Sequence, residues 1–215
     1  MLGSMTVRAA VVLALLALLT GCGTASAPSP PAGVDELVVP TPSPDPDDYV
    51  ADVDNPWFPL EPGTRSTWTV TDAAGRHPLT VTVEPGPTVA GVATTARVGT
   101  EPDRRVVDWF AQDQDGNVWW FGREGEWAAG VDGAEAGLAM AATPRVGDGY
   151  RTGYAEGTVE DRVRVVSLDG DVLVTEQRSD LDPGVATTLT YERGRGLVAA
   201  QTAGGDDRTE RLVAP

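Results

Sequence analysis

The chain contains no lysine. Its sixteen basic residues are all arginines, set against thirty-two acids. Without an ε-amine there is no Schiff-base chemistry, no lysine general base and no attachment point for pyridoxal phosphate. Cysteine occurs once, at Cys22, which excludes an internal disulfide and a multi-thiolate metal site. Histidine also occurs once, at His77 beside Pro78, where the sequence predicts a turn and an exposed ring. A Ser-His-Asp triad or a histidine-based metal site would have to be built on it. There is no G-x-S-x-G elbow, Walker loop or dinucleotide fingerprint, so no cofactor is expected. The formal charge of −16 excludes nucleic acid as a partner and argues against lying flat on an anionic membrane.

No apolar run is long enough to span a bilayer; the longest, Ala9 to Leu19, follows the single positive charge of Arg8 as a signal-peptide core does. It ends in Leu19-Thr20-Gly21-Cys22, which resembles the bacterial lipobox. That resemblance implies that residues 1–21 are a lipoprotein signal peptide and that Cys22 is lipidated and becomes the mature N-terminus. It places the protein on the outer face of the bacterial cytoplasmic membrane, with the membrane as a partner through the lipid anchor. An ordinary secretory signal is the alternative. Residues 22–52 are dominated by Pro, Ser, Ala and Asp, as in Pro40-Thr41-Pro42-Ser43-Pro44-Asp45-Pro46. Such a segment buries too little apolar surface to order itself and reads as an extended tether. At about 3 Å per residue it reaches up to roughly 90 Å.

What the chain does have is a concentrated aromatic stretch, Val106 to Gly122, holding Trp109, Phe110, Trp119, Trp120 and Phe121 around Asp108, Asp113 and Asp115. Asp113-Gln114-Asp115-Gly116-Asn117 predicts a turn, with Asp capping backbone ahead of it and Gly supplying positive φ. The β-branched and aromatic flanks predict two antiparallel strands. A three-residue loop would set Phe110 opposite Trp120 and Trp109 opposite Phe121, on opposite faces; a two-residue loop would change every pair. Both faces need apolar cover, one from the core and the other from a loop or a lined pocket. The same stretch is a poor calcium loop, because its Gly is fourth rather than sixth and Arg123 stands where an acid belongs.

The remainder reads as strands and hairpins without an amphipathic helix. The fold class expected for residues 53–215 is therefore all-β, a single antiparallel meander of about ten strands curled into a barrel, half-barrel or sandwich. Ala129 to Thr143, rich in Gly and Ala, reads as a long covering loop with at most one helical turn.

Several motifs together resemble a group of secreted bacterial proteins and lipoproteins. They are Asn55-Pro56-Trp57-Phe58-Pro59-Leu60-Glu61-Pro62-Gly63, Asp108-Trp109-Phe110-Ala111-Gln112-Asp113 and Gly116-Asn117-Val118-Trp119. The likeness spans about residues 54–200. Trp120, Arg123 and Ala141 depart from it where Tyr, Glu and Pro are usual. It implies one secreted β-rich domain and carries no activity, cofactor or catalytic residue.

Two chemistries remain open. Trp109, Phe110, Trp119, Trp120, Phe121, Trp127 and Met140 are candidates for binding a small apolar or amphipathic ligand; an envelope protein is an alternative partner. Asp108, Asp113, Glu160 and Asp161 are candidate carboxylates for an acid-pair hydrolase, which would need two of them to converge over a groove. A binding module that is not an enzyme is the leading reading, and a purely structural or adhesive envelope protein is the third.

Overall fold

The structure, a computed structural model, describes residues 45–214. The signal segment, Cys22 and most of the tether lie outside the described residues. Fourteen strands form one sheet. They are β1 (Tyr49–Val50), β2 (Arg65–Asp72), β3 (Gly75–Val89), β4 (Val92–Thr100), β5 (Arg105–Asp113), β6 (Val118–Arg123) and β7 (Trp127–Ala128), then β8 (Glu135–Met140), β9 (Gly149–Ala155), β10 (Val159–Asp169), β11 (Val172–Ser179), β12 (Ala186–Glu192), β13 (Gly196–Ala203) and β14 (Arg208–Ala214). Among the described residues there is no α-helix, only a short 3-10 turn at Pro46–Asp48.

Every pairing is antiparallel. From β2 to β14 each strand bonds to the next in sequence, with β7 standing aside between β6 and β8. Strand β14 then pairs with β2, so twelve strands close an up-and-down barrel with β1 and β7 as additions. The all-β antiparallel expectation holds. The count of about ten was too low, and the half-barrel and sandwich alternatives give way to closure, which leaves no long strand edge unpaired.

Two strands in particular escaped the sequence reading. Strand β1 belongs to the segment read as tether: Asp45 caps the 3-10 turn, Tyr49 and Val50 pair with Asp113 and Gln112, and the Tyr49 ring meets Phe121 edge-on at 5.3 Å. Strand β8 belongs to the Gly/Ala-rich stretch read as a covering loop. Its composition is poor for a strand, but a Cβ at Gly137 would stand 2.2 Å from the Thr152 carbonyl carbon. Only glycine lets β8 approach β9 this closely. Ala129 to Ala134 and Ala141 to Thr143 remain loop there, the first turning through Gly130, Asp132 and Gly133 at positive φ.

The central hairpin forms as its turn residues dictate. Gly116 adopts φ +87°. The Asp113 carboxylate accepts from the backbone N–H groups of Asp115 (3.0 Å) and Asn117 (2.9 Å), from Asn117 Nδ2 (2.9 Å) and from Trp119 Nε1 (2.8 Å). Phe110 lies opposite Trp120, as the three-residue loop requires. Trp109, however, lies opposite Gly122 rather than Phe121, because Phe121 is the extra residue of a bulge. Alternation separates the hairpin into two cores. Phe110, Val118 and Trp120 join Val53, Trp57, Leu60 and Tyr191, whereas Ala111, Trp119 and Phe121 join Val89, Val92, Ala129 and Leu138.

The segment before β2 is pinned by Asn55. Its backbone N–H donates to Gln112 Oε1 (2.8 Å), its Nδ2 donates to the carbonyls of Gly116 (2.8 Å) and Ala141 (3.2 Å), and its Oδ1 accepts from Trp57 N–H (2.8 Å). Gln112 Nε2 returns a bond to Asp54 at 2.6 Å. The Asn55 segment and the central hairpin are thus joined in one hydrogen-bonded lock.

Candidate functional site

A barrel of twelve strands is wider than the eight-stranded kind that side chains can fill, and two chambers open among the described residues. The larger, of about 380 Å³, is walled by residues that include Leu60, Trp68, Val81, Val83, Phe110 and Leu212. Its mouth lies between the 58–65 segment and the β12–β13 turn, where Glu61, Arg65 and Arg195 stand. The smaller, of about 140 Å³, is more polar and includes Asp108, Trp120, Arg123, Thr152, Gln177 and Tyr191. Phe58 and Phe110 border both chambers, with their rings 5.0 Å apart. Phe58 also lies 6.3 Å from the Tyr191 ring, so it forms the partition.

A row of register partners crosses the inner wall: Val83 of β3, Arg97 of β4, Asp108 of β5 and Arg123 of β6. Asp108 bonds Arg123 Nε at 2.7 Å, and the guanidinium lies 5.2 Å from the Trp120 ring centroid. Burial alone would lower the Arg123 pKa, but the nearby carboxylates of Asp108, Glu126 and Asp161 outweigh it and raise the value. Asp161 accepts from Gln177 Nε2 at 2.8 Å. Burial pushes the Tyr191 hydroxyl well above its ordinary value, opposed in part by the positive charge of Arg97. Trp120 Nε1 and Thr152 Oγ1 are buried with no hydrogen-bond partner among the described residues.

Of the aromatic candidates, Phe110 and Trp120 face the chambers. Trp119 is locked to Asp113 and packed, Phe121 is fully buried under Tyr49, and Met140 is fully buried in the core. Trp127 meets Trp120 edge-on at 4.9 Å and walls neither chamber. Trp109 is half-buried against Ala96, Val98 and Val107 on the opposite face of the sheet. Of the carboxylates, Asp108 and Asp161 come together around Arg123. Asp113 is consumed in the hairpin turn, and Glu160 accepts from Gly157 N–H in the β9–β10 turn. Phe58, Arg97 and Leu212 were not singled out as chamber residues in the sequence, whereas Trp68, one of the six tryptophans open to an apolar cavity, does line the larger chamber. Arg97 was concealed by its neighbours: Ala96 and Val98 make the other face of β4 look like the core face, although both faces are covered.

His77 is not an exposed turn residue. It lies on β3, half-buried, with Nε2 2.8 Å from Glu101. Its bond to Glu101 raises its pKa, helped by the charge of Asp72. Burial would raise the Glu101 carboxyl, but the bonds from His77 and Arg208 win and lower it. Asp72, His77 and Glu101 could by spacing hold a metal ion. Arg208 already supplies the cation, donating to Asp72 (3.2 Å), Glu101 (2.9 Å) and Glu210 (2.7 Å), so the cluster reads as a structural ion-pair network.

No protein-family model matches the chain, and no curated protein matches it. Among solved structures, a presumed exported protein with a YmcC-like fold from Bacteroides fragilis NCTC 9343 is similar in part. It is 12% identical with a TM-score of 0.36, over 73% of this chain and 96% of that one. At that level the likeness says nothing of activity.

Proposed function

We propose that this protein is a lipid-anchored, extracytoplasmic binding module that takes a small apolar or amphipathic ligand inside its barrel and performs no chemistry on it. The observation that supports this most is the half-open chamber of about 380 Å³ with a mainly apolar wall. That volume is at the lower end of the roughly 300–1,000 Å³ of ligand sites. The lipobox-like segment ending at Cys22 supports the anchor and the location. The acid-pair alternative is weakened because Asp108 is already engaged by Arg123, and a hydrolytic pair needs one carboxyl free to give a proton and one free to act as base or nucleophile. An envelope protein as partner, in a binding or adhesive role, is the second reading.

Calorimetric titration with single-chain alcohols and acids tests the chamber, with Val83→Trp as a variant that fills it. Binding by the native chain that Val83→Trp abolishes is the expected result. Equal heats from both, or none from either, would reject the binding reading. Mass spectrometry of the membrane fraction tests the anchor: a diacylglyceryl-sized increment on the fragment beginning at Cys22 is expected, and Cys22→Ala should remove it.

A further inference from the structure

We infer that the ligand is an anionic amphiphile, a monocarboxylate with a single hydrocarbon chain, whose head group is held by Arg97. This inference rests on the binding reading above. Arg97 borders the larger chamber. Its register neighbours, Val83 and Asp108, point to the same inner face. Among the described residues it forms no ion pair and no side-chain hydrogen bond, since Asp108 is held by Arg123 and Asp161 by Gln177. Its charge instead acts on the Tyr191 hydroxyl across the partition. An unpaired guanidinium inside a mainly apolar chamber is unfavourable when the site is empty and ready for a planar acid, which it can bind through two parallel N–H donors.

The balance of charge points the same way. The chain has twice as many acids as bases, yet the larger chamber meets three arginines, Arg65, Arg97 and Arg195, and one acid, Glu61. Arg195 is partly neutralised by Glu192. Arg65 is exposed at the mouth, where it can steer an anion inward. Trp68, Val81, Val83 and Leu212 then offer the apolar surface for the chain. A cation would meet Arg97 head-on, and a neutral alcohol would leave its charge unpaired.

The barrel closes within the described residues, so a chain from Gly23 to Pro215 serves for the test, free of competing lipid and detergent. Decanoate and decanol are titrated into the native chain, Arg97→Met and Arg97→Lys, with circular dichroism to check folding. Decanoate is expected to bind the native chain more tightly than decanol. Arg97→Met should weaken decanoate by at least about tenfold and change decanol by less than about threefold, and Arg97→Lys should fall between for decanoate. Decanol binding the native chain as tightly as decanoate, or decanoate indifferent to Arg97→Met, overturns the assignment to Arg97 while leaving the chamber as a binding site. Failure of both probes to bind overturns the binding reading and this inference with it. Should Arg97→Met fail to fold, the native chain's preference for acid over alcohol and the Arg97→Lys loss still decide the matter.

Discussion

The central hairpin and the chamber wall belong to one barrel and are built by opposite rules. In the hairpin and its lock, each polar group around Asp113, Asn55 and Gln112 has a partner, and Trp119, Phe121 and Met140 are packed without space. Along the neighbouring strands β4, β3, β2, β14 and β13, the wall leaves about 380 Å³ and the Arg97 guanidinium without a partner. The most aromatic part of the chain is therefore the part that holds the barrel closed. The chamber lies where the sequence looks plain. An aromatic cluster marks apolar burial first, and only unfilled volume with an unpaired polar group marks a ligand.

The sharpest way to break this contrast is at Gly137. Gly137→Ala puts a methyl group 2.2 Å from the Thr152 backbone, and backbone on both sides cannot yield. A loss of about 4 kcal/mol or more, or no folded protein, is expected in urea unfolding. Asn55→Ala comes next. It removes the side-chain partner of two carbonyls and one backbone N–H in a buried site, for about 3 kcal/mol. A cost below about 1 kcal/mol would mean the lock is not what pins the opening segment.

On the other side of the comparison, Phe58→Ala should cost less, about 1–2 kcal/mol, because Phe58 is half-buried beside space that already exists. It should also merge the two chambers, so that calorimetry finds longer or bulkier ligands accepted. Unchanged ligand size would mean that Phe58 is not the partition. The smallest effect is expected at His77. Its folded pKa is raised by Glu101, so its contribution is complete below the ordinary value near 6.5 and is lost as pH rises through the raised one. Stability of the native chain should therefore decline through that window relative to His77→Gln, and parallel pH profiles would contradict it.

The sequence made some of this visible and hid the rest for physical reasons. The all-β character and the turn at Asp113–Asn117 follow from local chemistry. The Phe110–Trp120 pair follows from the loop length, but the bulge at Phe121 does not, since a bulge is set by what packs around it. Strand β8 was hidden because Gly137 answers to the backbone of β9 across the sheet, and β1 because two residues beside a proline-rich run carry no periodicity. In the β10–β11 hairpin Asp169 pairs with Val172, so the two-residue turn is Gly170-Asp171, one residue later than the Asp-Gly pair alone suggests. The site was the least legible part. Arg97 sits between two buried apolar neighbours, so simple alternation points it at solvent, and closure of the barrel alone turns it inward.

The most direct test of the central claim, that the space behind this wall is a container for a ligand, is native mass spectrometry. The protein would be purified from its own host as a soluble form, with Val83→Trp prepared in parallel. The expected result is a native chain carrying a small organic acid that collisional activation releases, and a Val83→Trp chain at its bare mass. Two bare chains, neither taking up added decanoate or decanol, would contradict the account.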